Sequence, residues 1–157
     1  MERFRAVVEN RHQYARDWKA RTNGKVMGYL CPTMPEELIY AAGVLPVRLL
    51  SRYEPDDVSE RYLPPGACPN SRNILLQLAK GRYDYLDGVG CSWGCDWLRH
   101  TFSSWQIHGN TPYNYNIFVP VFAQGRQAKT LLQGELEIFK ESLEEWTGNT
   151  VTEQALD

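Results

Sequence analysis

Four cysteines carry the chemistry this sequence most readily offers: Cys31, Cys68, Cys91 and Cys95. Thiols on a cytosolic chain stay reduced, so metal ligation or redox exchange comes before a disulfide framework. Cys31 and Cys68 are each followed by proline, and a residue before proline is pushed into an extended conformation. Beside a helix start, such a residue presents its side chain next to open backbone N–H groups, which together with the helix dipole favour a thiolate. Gly94-Cys95-Asp96 has the same helix-start context. The CxxxC spacing of Cys91 and Cys95 suits neither a zinc knuckle nor a thioredoxin-like CxxC pair. Single scattered cysteines suit an iron–sulfur cluster held between segments or domains. The competing reading of each thiol is a small buried hydrophobe, and it weighs most for Cys91.

Other reactive residues say less. His12 falls on the polar face of the first helix and reads as solvated, while His100 and His108 flank an aromatic helix as structural histidines. Glu36 and Glu37 are candidates for acid–base work, but acids in a first turn are explained by the helix dipole alone. There is no GxGxxG, P-loop, GxSxG or HExxH pattern.

Placing the thiols requires the elements that carry them. Phe4, Val7, Val8, Tyr14, Ala15 and Trp18 form a helical stripe that Asn23-Gly24 ends. Lys25–Leu30 reads as a short buried strand with Cys31 at its end. A helix opens at Pro35 and closes near Gly43, and Leu45–Leu50 is a second strand. Ser51–Ala67 is a long polar loop, of the kind that is functional or mobile. A helix spans about Asn70–Lys80, and Tyr85–Gly90 is a third strand, followed by Cys91. A further helix starts near Cys95 or Asp96 and carries Trp97, Leu98, Phe102 and Trp105. Asn116–Pro120 is the fourth strand. A long helix from about Arg126 to Trp146 turns Leu131, Leu132, Ile138, Phe139, Leu143 and Trp146 inward. Strands separated by helices pair in parallel, and apolar runs fit strands covered on both faces. The expected fold is α/β, an open, mostly parallel four-stranded sheet flanked by helices. Ligands collect beyond the carboxyl ends of such strands, and all four thiols fall at that edge.

Composition sets the outer limits. The chain has 157 residues with 17 Lys+Arg against 19 Asp+Glu, a formal charge of −2, which excludes a dedicated duplex-binding protein. With 43% hydrophobic and 23% charged residues it is too apolar to be disordered. No apolar run approaches the roughly 18–20 residues of a membrane span. Met1-Glu2-Arg3-Phe4-Arg5 does not match a secretory leader, leaving the cytoplasm as the expected compartment. Residues 1–23 are read as an N-terminal helix, 24–149 as a parallel α/β domain, and 150–157 as the start of a helix. Thr150-Val151-Thr152-Glu153 has the capping-box pattern with barely one turn after it, as in a chain cut short.

Longer motifs carry a family resemblance. Gly28-Tyr29-Leu30-Cys31-Pro32-Thr33-Met34-Pro35-Glu36-Glu37-Leu38-Ile39-Tyr40-Ala41-Ala42-Gly43-Val44-Leu45-Pro46-Val47-Arg48 resembles the opening motif of the 2-hydroxyacyl-CoA dehydratase/benzoyl-CoA reductase family. Cys68-Pro69-Asn70-Ser71-Arg72 with Gly81–Gly88 resembles its second cysteine motif and the strand after it, and Gly94-Cys95-Asp96-Trp97 its third. Leu143-Glu144-Glu145-Trp146-Thr147-Gly148 fits as well, and the wording is most similar to the N-terminal part of a B-type benzoyl-CoA reductase subunit.

The resemblance implies a Rossmann-like half of a longer subunit, carrying an iron–sulfur cluster of the [4Fe–4S] kind. It implies an ATP-hydrolysing activator that delivers single electrons, and an acyl-CoA thioester as substrate for dehydration or ring reduction. By motif, Cys31 and Cys68 are cluster ligands and Cys95 is the third candidate; Cys91 has no counterpart. Family subunits are more than twice this length, with a second α/β half that supplies a ligand in dehydratases. A partner subunit and an oligomer are therefore expected, with no nucleic acid and no membrane. The loop Ser51–Ala67 and the helix Trp93–Trp105 are candidates to line the acyl-CoA pocket or a subunit interface. The alternative is a non-catalytic truncated module that binds a partner subunit, or zinc through Cys91 and Cys95.

Overall fold

Glycines and short apolar runs let the central strands be covered on both sides. In the computed structural model, which describes residues 2–52, 55, 58–120, 122 and 124–156, β1 (Val26–Tyr29) and β3 (Gly88–Ser92) are buried along their whole length. They are flanked by β2 (Leu45–Arg48) and β4 (Tyr113–Ile117), and the four strands run parallel in the order β2-β1-β3-β4. The register sets Val26 beside Leu45, Tyr29 beside Gly90, and Gly90 beside Tyr115. The expected α/β sheet is therefore present.

Side chains alternate across it. Val26, Leu30, Val89 and Cys91 share one core with Ala15 of α2 (Arg11–Thr22), Ile74 and Leu75 of α4 (Pro69–Ala79), and Phe102 and Trp105 of α5 (Asp96–His108). Met27, Tyr29 and Ile117 share the other with Ile39 of α3 (Glu36–Ala41) and Phe139 and Leu143 of α6 (Arg126–Thr147). Each large side chain so buried contributes roughly 1.5–3 kcal/mol. On the α6 side β3 carries Gly88 and Gly90, with Ser92 at its end. A Cβ at Gly90 would lie 2.7 Å from the methyl carbons of both Met27 and Met34, so those side chains fill the space.

Several boundaries differ from the sequence reading. The first helix is two, α1 (Glu2–Glu9) and α2, divided at Asn10. Ala15 and Trp18 of α2 pack on the core, while Phe4, Val8 and Tyr14 stay exposed. Asn23 caps α2 in the left-handed conformation, φ 53°, and so ends it as expected. Leu131 and Ile138 of α6 face outward, because the buried stripe runs through Leu136, Phe139, Leu143 and Trp146. β4 begins three residues before its expected start, at Tyr113, where Tyr113 stacks on Trp146 with centroids 4.1 Å apart. In the loop expected over 51–67, Tyr53, Glu54, Asp56 and Asp57 lie outside the described residues. The rest includes a 3-10 turn, Ser59–Arg61, with Leu63 and Ala67 buried. Thr152, rather than Thr150, caps the last helix, α7 (Glu153–Leu156), by accepting from Ala155 N–H.

Candidate functional site

Cys31 lies just past β1, at a turn closed by Met34 N–H donating to Cys31 O at 3.2 Å. Proline at the next position is suited to such a turn. The thiol is buried, 2% exposed, at the carboxyl edge of the sheet. Cys91, the Ser92 and Thr33 hydroxyls and the Gly94 N–H surround its sulfur. The Cys91 thiol donates to Ser92 O at 3.3 Å and Leu98 O at 3.7 Å, and the Gly94 N–H to Ser92 O at 2.8 Å. Thr33 and Ser92 are themselves bonded, Oγ to Oγ, at 2.6 Å. A Cβ on Gly94 would sit 3.2 Å from Cys31 Sγ, so a larger residue there would press on the sulfur.

These neighbours set the charge. Cys91, then Ser92, Gly94 and Thr33, pull Cys31 down to about 5 against burial, which pushes it up. Cys91 is driven far the other way, first by Cys31 beside it and then by burial. The sequence places Cys91 past the third strand; it lies inside β3, fully buried, because β3 begins three residues later than expected.

Cys68 and Cys95 occupy a different kind of position. Cys68 is the residue before α4, at φ −50° and ψ 129°, half-buried, with Pro69 opening the helix. Cys95 is the residue before α5, extended at φ −155° and ψ 134°, and exposed. Cys95 is near enough to Cys91 to raise it electrostatically. Ser71, one turn along α4 from Cys68, is fully buried, and its hydroxyl has no hydrogen-bond partner among the described residues. The four cysteines are the right donors in kind for an iron–sulfur group. Among the described residues, however, no three His, Cys, Asp or Glu side chains converge on a point where one metal ion could sit. The structure brings Cys31 to Cys91; it does not gather Cys31, Cys68 and Cys95 into one such group.

The surroundings are aromatic. Trp93 meets Phe118 edge-on at 5.1 Å, and the Arg99 guanidinium lies 4.1 Å over the Trp93 ring. A cavity of about 420 Å³ opens between loop residues Tyr62–Pro64 and Trp97, His100 and Ser104 of α5. This joins the two segments that the sequence offered as a pocket lining. His100 and His108 pack edge-on against Trp97 and Tyr62. Glu36 accepts a short hydrogen bond from the Tyr29 hydroxyl, which burial and that bond hold far above the usual phenol range.

His12 corrects the sequence reading. It is not solvated: one ring nitrogen lies 3.1 Å from the Tyr85 hydroxyl and the other 3.2 Å from Gln77 Oε1. Burial, with Arg11 beside it, lowers His12 to about 4. Gln77 is fully buried and donates to Leu50 O and Asn73 Oδ1, so this knot ties α2 to α4. Sequence reasoning also missed Thr33, Ser71, Ser92 and Gly94. Their only signal was position, within a few residues of a cysteine.

The motif order now meets an independent comparison. The model of the 2-hydroxyglutaryl-CoA dehydratase, D-component family matches residues 31–157, starting on Cys31 itself. The chain belongs to this family. Among its relatives, the (R)-phenyllactyl-CoA dehydratase beta subunit of Clostridium sporogenes is 26% identical over 98% of this chain and 41% of its own length. The lactoyl-CoA dehydratase subunit beta of Anaerotignum propionicum is 28% identical over 100% of this chain and 41% of its own. One of the benzoyl-CoA reductase subunits of Thauera aromatica is 29% identical over 90% of this chain and 38% of its own. The chain spans about two-fifths of the length of these relatives. Members of the family named for acyl-CoA dehydration and for benzoyl-CoA reduction are thus both similar to it.

Proposed function

We propose that this chain is the cluster-bearing portion of a subunit of an ATP-dependent acyl-CoA dehydratase or reductase. The observation that carries the reading is the thiol edge: a buried Cys31 at the carboxyl end of a parallel sheet, with Cys91 in the neighbouring strand, in a chain of this family. Cys31 and Cys68 would hold a [4Fe–4S] cluster, with Cys95 as the third candidate. When bound, such a cluster supplies single electrons at low potential for reduction of an acyl-CoA thioester. Thr33, Ser92 and Gly94 line the space around the Cys31 sulfur and favour its charged form. Trp93, Phe118 and Arg99 pack on one another beside this edge. The cavity beside Trp97 and His100 is the candidate acyl-CoA pocket.

The partners follow from the same reading: a second subunit, an ATP-hydrolysing activator that delivers electrons, and a cytoplasmic setting. Among the described residues no helix is long and apolar enough to cross a membrane. Phe4, Ile107 and Phe122 are exposed by 75% or more, as befits side chains covered by a further domain or a neighbouring protomer. A second reading is the module that only binds a partner subunit, or zinc through Cys91 and Cys95; the exposed Phe4, Ile107 and Phe122 favour its partner-binding form. Purification without oxygen separates the two. Visible sulfur-to-iron absorbance that dithionite bleaches, with a paramagnetic signal from the reduced protein, supports the first. A colourless chain with zinc or free thiols supports the second.

A further inference from the structure

The two edges of the sheet are finished differently. Leu45 N–H donates to Lys25 O and Leu49 N–H to Tyr29 O, so Leu45, Val47 and Leu49 face β1 while Pro46 and Arg48 turn outward. Pro46 has no N–H to offer a further strand. Val7, Val8, Arg11 and Tyr14 of α1 and α2 also lie against β2. At the other edge Tyr113 N–H donates to Asp87 O at 3.2 Å. Tyr113, Tyr115 and Ile117 therefore face β3, and Asn114 and Asn116 turn their N–H and C=O groups outward. Among the described residues no strand pairs with them, since β4 ends the order β2-β1-β3-β4. The next outward N–H, of Phe118, is taken by Glu135 Oε2 at 3.0 Å. An open row of backbone groups is a template for strand addition.

The helix beside this edge carries matching side chains. Leu131, Glu135, Ile138 and Ser142 fall at i, i+4, i+7 and i+11 of α6, one row along the helix. Glu135 and Ser142 reach the Phe118 N–H and the Tyr113 hydroxyl, so the row runs along β4. Leu131 and Ile138, in that same row, are 46% and 57% exposed, because among the described residues no strand lies beyond β4 to meet them. Glu141 and Glu145 follow Ile138 at i+3 and i+7 and are exposed, while Lys140 lies toward Leu38 of α3. The strip is therefore apolar at Leu131 and Ile138 and acidic at the end level with Tyr113, whose ring stacks on Trp146. A second copy fits it poorly. Antiparallel pairing centred on Tyr115, whose ring meets Phe139 at 4.6 Å, sets Ile138 against its own copy and Glu141 near the copy's Glu135, like charge against like.

We propose that the outer edge of β4, between the open backbone of Asn114 and Asn116 and the exposed Leu131 and Ile138, takes an extended segment of a partner protein as a fifth strand. That segment presents apolar side chains at alternate positions to Leu131 and Ile138, and a basic side chain to Glu141 and Glu145. Backbone pairing supplies the affinity, and the alternate apolar positions with the basic end supply the selectivity. The strip needs no iron, so it stands whether or not the thiol edge holds a cluster.

The test uses the full chain, iron-free, and blocked peptides of about seven residues. The probe has valine at alternate positions, threonine between them and lysine at both ends. Amide shifts and amide hydrogen exchange are read by NMR. At saturation the Asn114 and Asn116 amides should exchange about tenfold more slowly or beyond, with the Tyr115 amide, already paired to β3, little changed. Methylating one alternate set of peptide amides should abolish binding and methylating the other should spare it, since only one set faces β4. Glutamate in place of the lysines, Ile138→Asp and Asn116→Pro should each weaken binding about tenfold or more. Glu141→Lys with Glu145→Lys should invert the preference for lysine over glutamate. Asn116→Pro copies at this edge what Pro46 does at the other, and where it fails to fold by circular dichroism the methylated peptides decide. Four results would each overturn the proposal: Asn114 and Asn116 amides left unprotected, equal binding of the two methylated sets, equal binding of lysine and glutamate peptides, or a dimer that protects those amides without peptide.

Discussion

The inner and outer thiols of this edge are held by different physics. Cys31 and Cys91 lie at and inside the central strands, buried, with Cys91, Ser92, Gly94 and Thr33 gathered around the Cys31 sulfur. Cys68 and Cys95 stand outside, each the residue before a helix, half-buried and exposed, with no comparable set of donors among the described residues. The inner sulfur is pre-organised by the sheet before any ligand arrives. The outer two are carried by helix starts, whose approach a ligand or a further domain can still adjust. Hydrogen bonds to a sulfur, solvent exclusion and net charge are the levers a protein has on an iron–sulfur group. At this edge they are concentrated on Cys31.

The largest effect on that contrast comes from Cys91→Ala. It removes the neighbour that lowers Cys31 most, so in the iron-free chain the Cys31 midpoint should climb from about 5 toward the ordinary thiol range. At pH 7 the anionic fraction of Cys31 should fall at least tenfold, read by thiolate absorbance or alkylation rate. An unchanged midpoint would mean that the hydroxyls and the Gly94 N–H suffice without Cys91.

A second effect separates the thiol edge from the rest of the molecule. His12 is lowered to about 4 chiefly by burial, whereas the unfolded chain titrates near its ordinary value of about 6.5. Between those values the unfolded chain binds more protons, so the neutral-ring contribution is full above about pH 6.5 and is lost as pH falls toward 4. The ring is partly exposed, so the loss should be about 1–2 kcal/mol rather than the full shift. His12→Leu should flatten the acid limb of denaturant-derived stability and leave the Cys31 titration untouched. If the thiol variants flatten it instead, the two regions are coupled.

Smaller still is Ser71→Ala. Its hydroxyl is buried and has no partner among the described residues, so its removal should leave stability within about 0.5 kcal/mol or raise it by up to about 1 kcal/mol in urea titrations. A loss above about 1.5 kcal/mol would show that the hydroxyl has a partner in the metal-free chain. The smallest effect is Asp96→Asn. Asp96 pairs with Arg99 at 3.1 Å across an exposed surface, so stability should move by less than about 0.5 kcal/mol. Cys95 alkylation should keep its rate.

The sheet was legible in the sequence because β1 and the helices facing it are written as unambiguous apolar patterns. Val26–Leu30, Ile74-Leu75 and Phe102 with Trp105 all fall where their periodicity places them. The misses have local causes. β3 is Gly88-Val89-Gly90-Cys91-Ser92, too poor in side chains to mark its own end, so Cys91 reads as a loop residue. β4 is Tyr-Asn-Tyr-Asn-Ile, an edge strand whose asparagines argue against it until Tyr113 is seen stacked on Trp146. Leu131 and Ile138 count as core by type but lie off the stripe that Phe139 and Leu143 define. At the site, Cys68-Pro69 and Gly94-Cys95-Asp96 gave the helix starts correctly, whereas Cys31-Pro32 leads into a turn and the helix after it begins only at Glu36. The cradle around Cys31 was not legible, since it is assembled from residues about 60 positions apart, as Thr33 and Ser92 are. Nor was the neutral His12, whose environment is set by Gln77 and Tyr85 from other elements.

The central claim is that the thiol edge exists to hold iron, and it is met most directly by iron and acid-labile sulfide per chain. Protein purified strictly without oxygen would be assayed beside Cys31→Ala, Cys68→Ala, Cys95→Ala and Cys91→Ala, with a partner subunit supplied if one co-purifies. The account predicts stoichiometric iron and sulfide, abolished in Cys31→Ala and Cys68→Ala, reduced in Cys95→Ala and retained in Cys91→Ala. Wild-type chain that carries no iron with its partner present, or that keeps it in Cys31→Ala, would contradict the account.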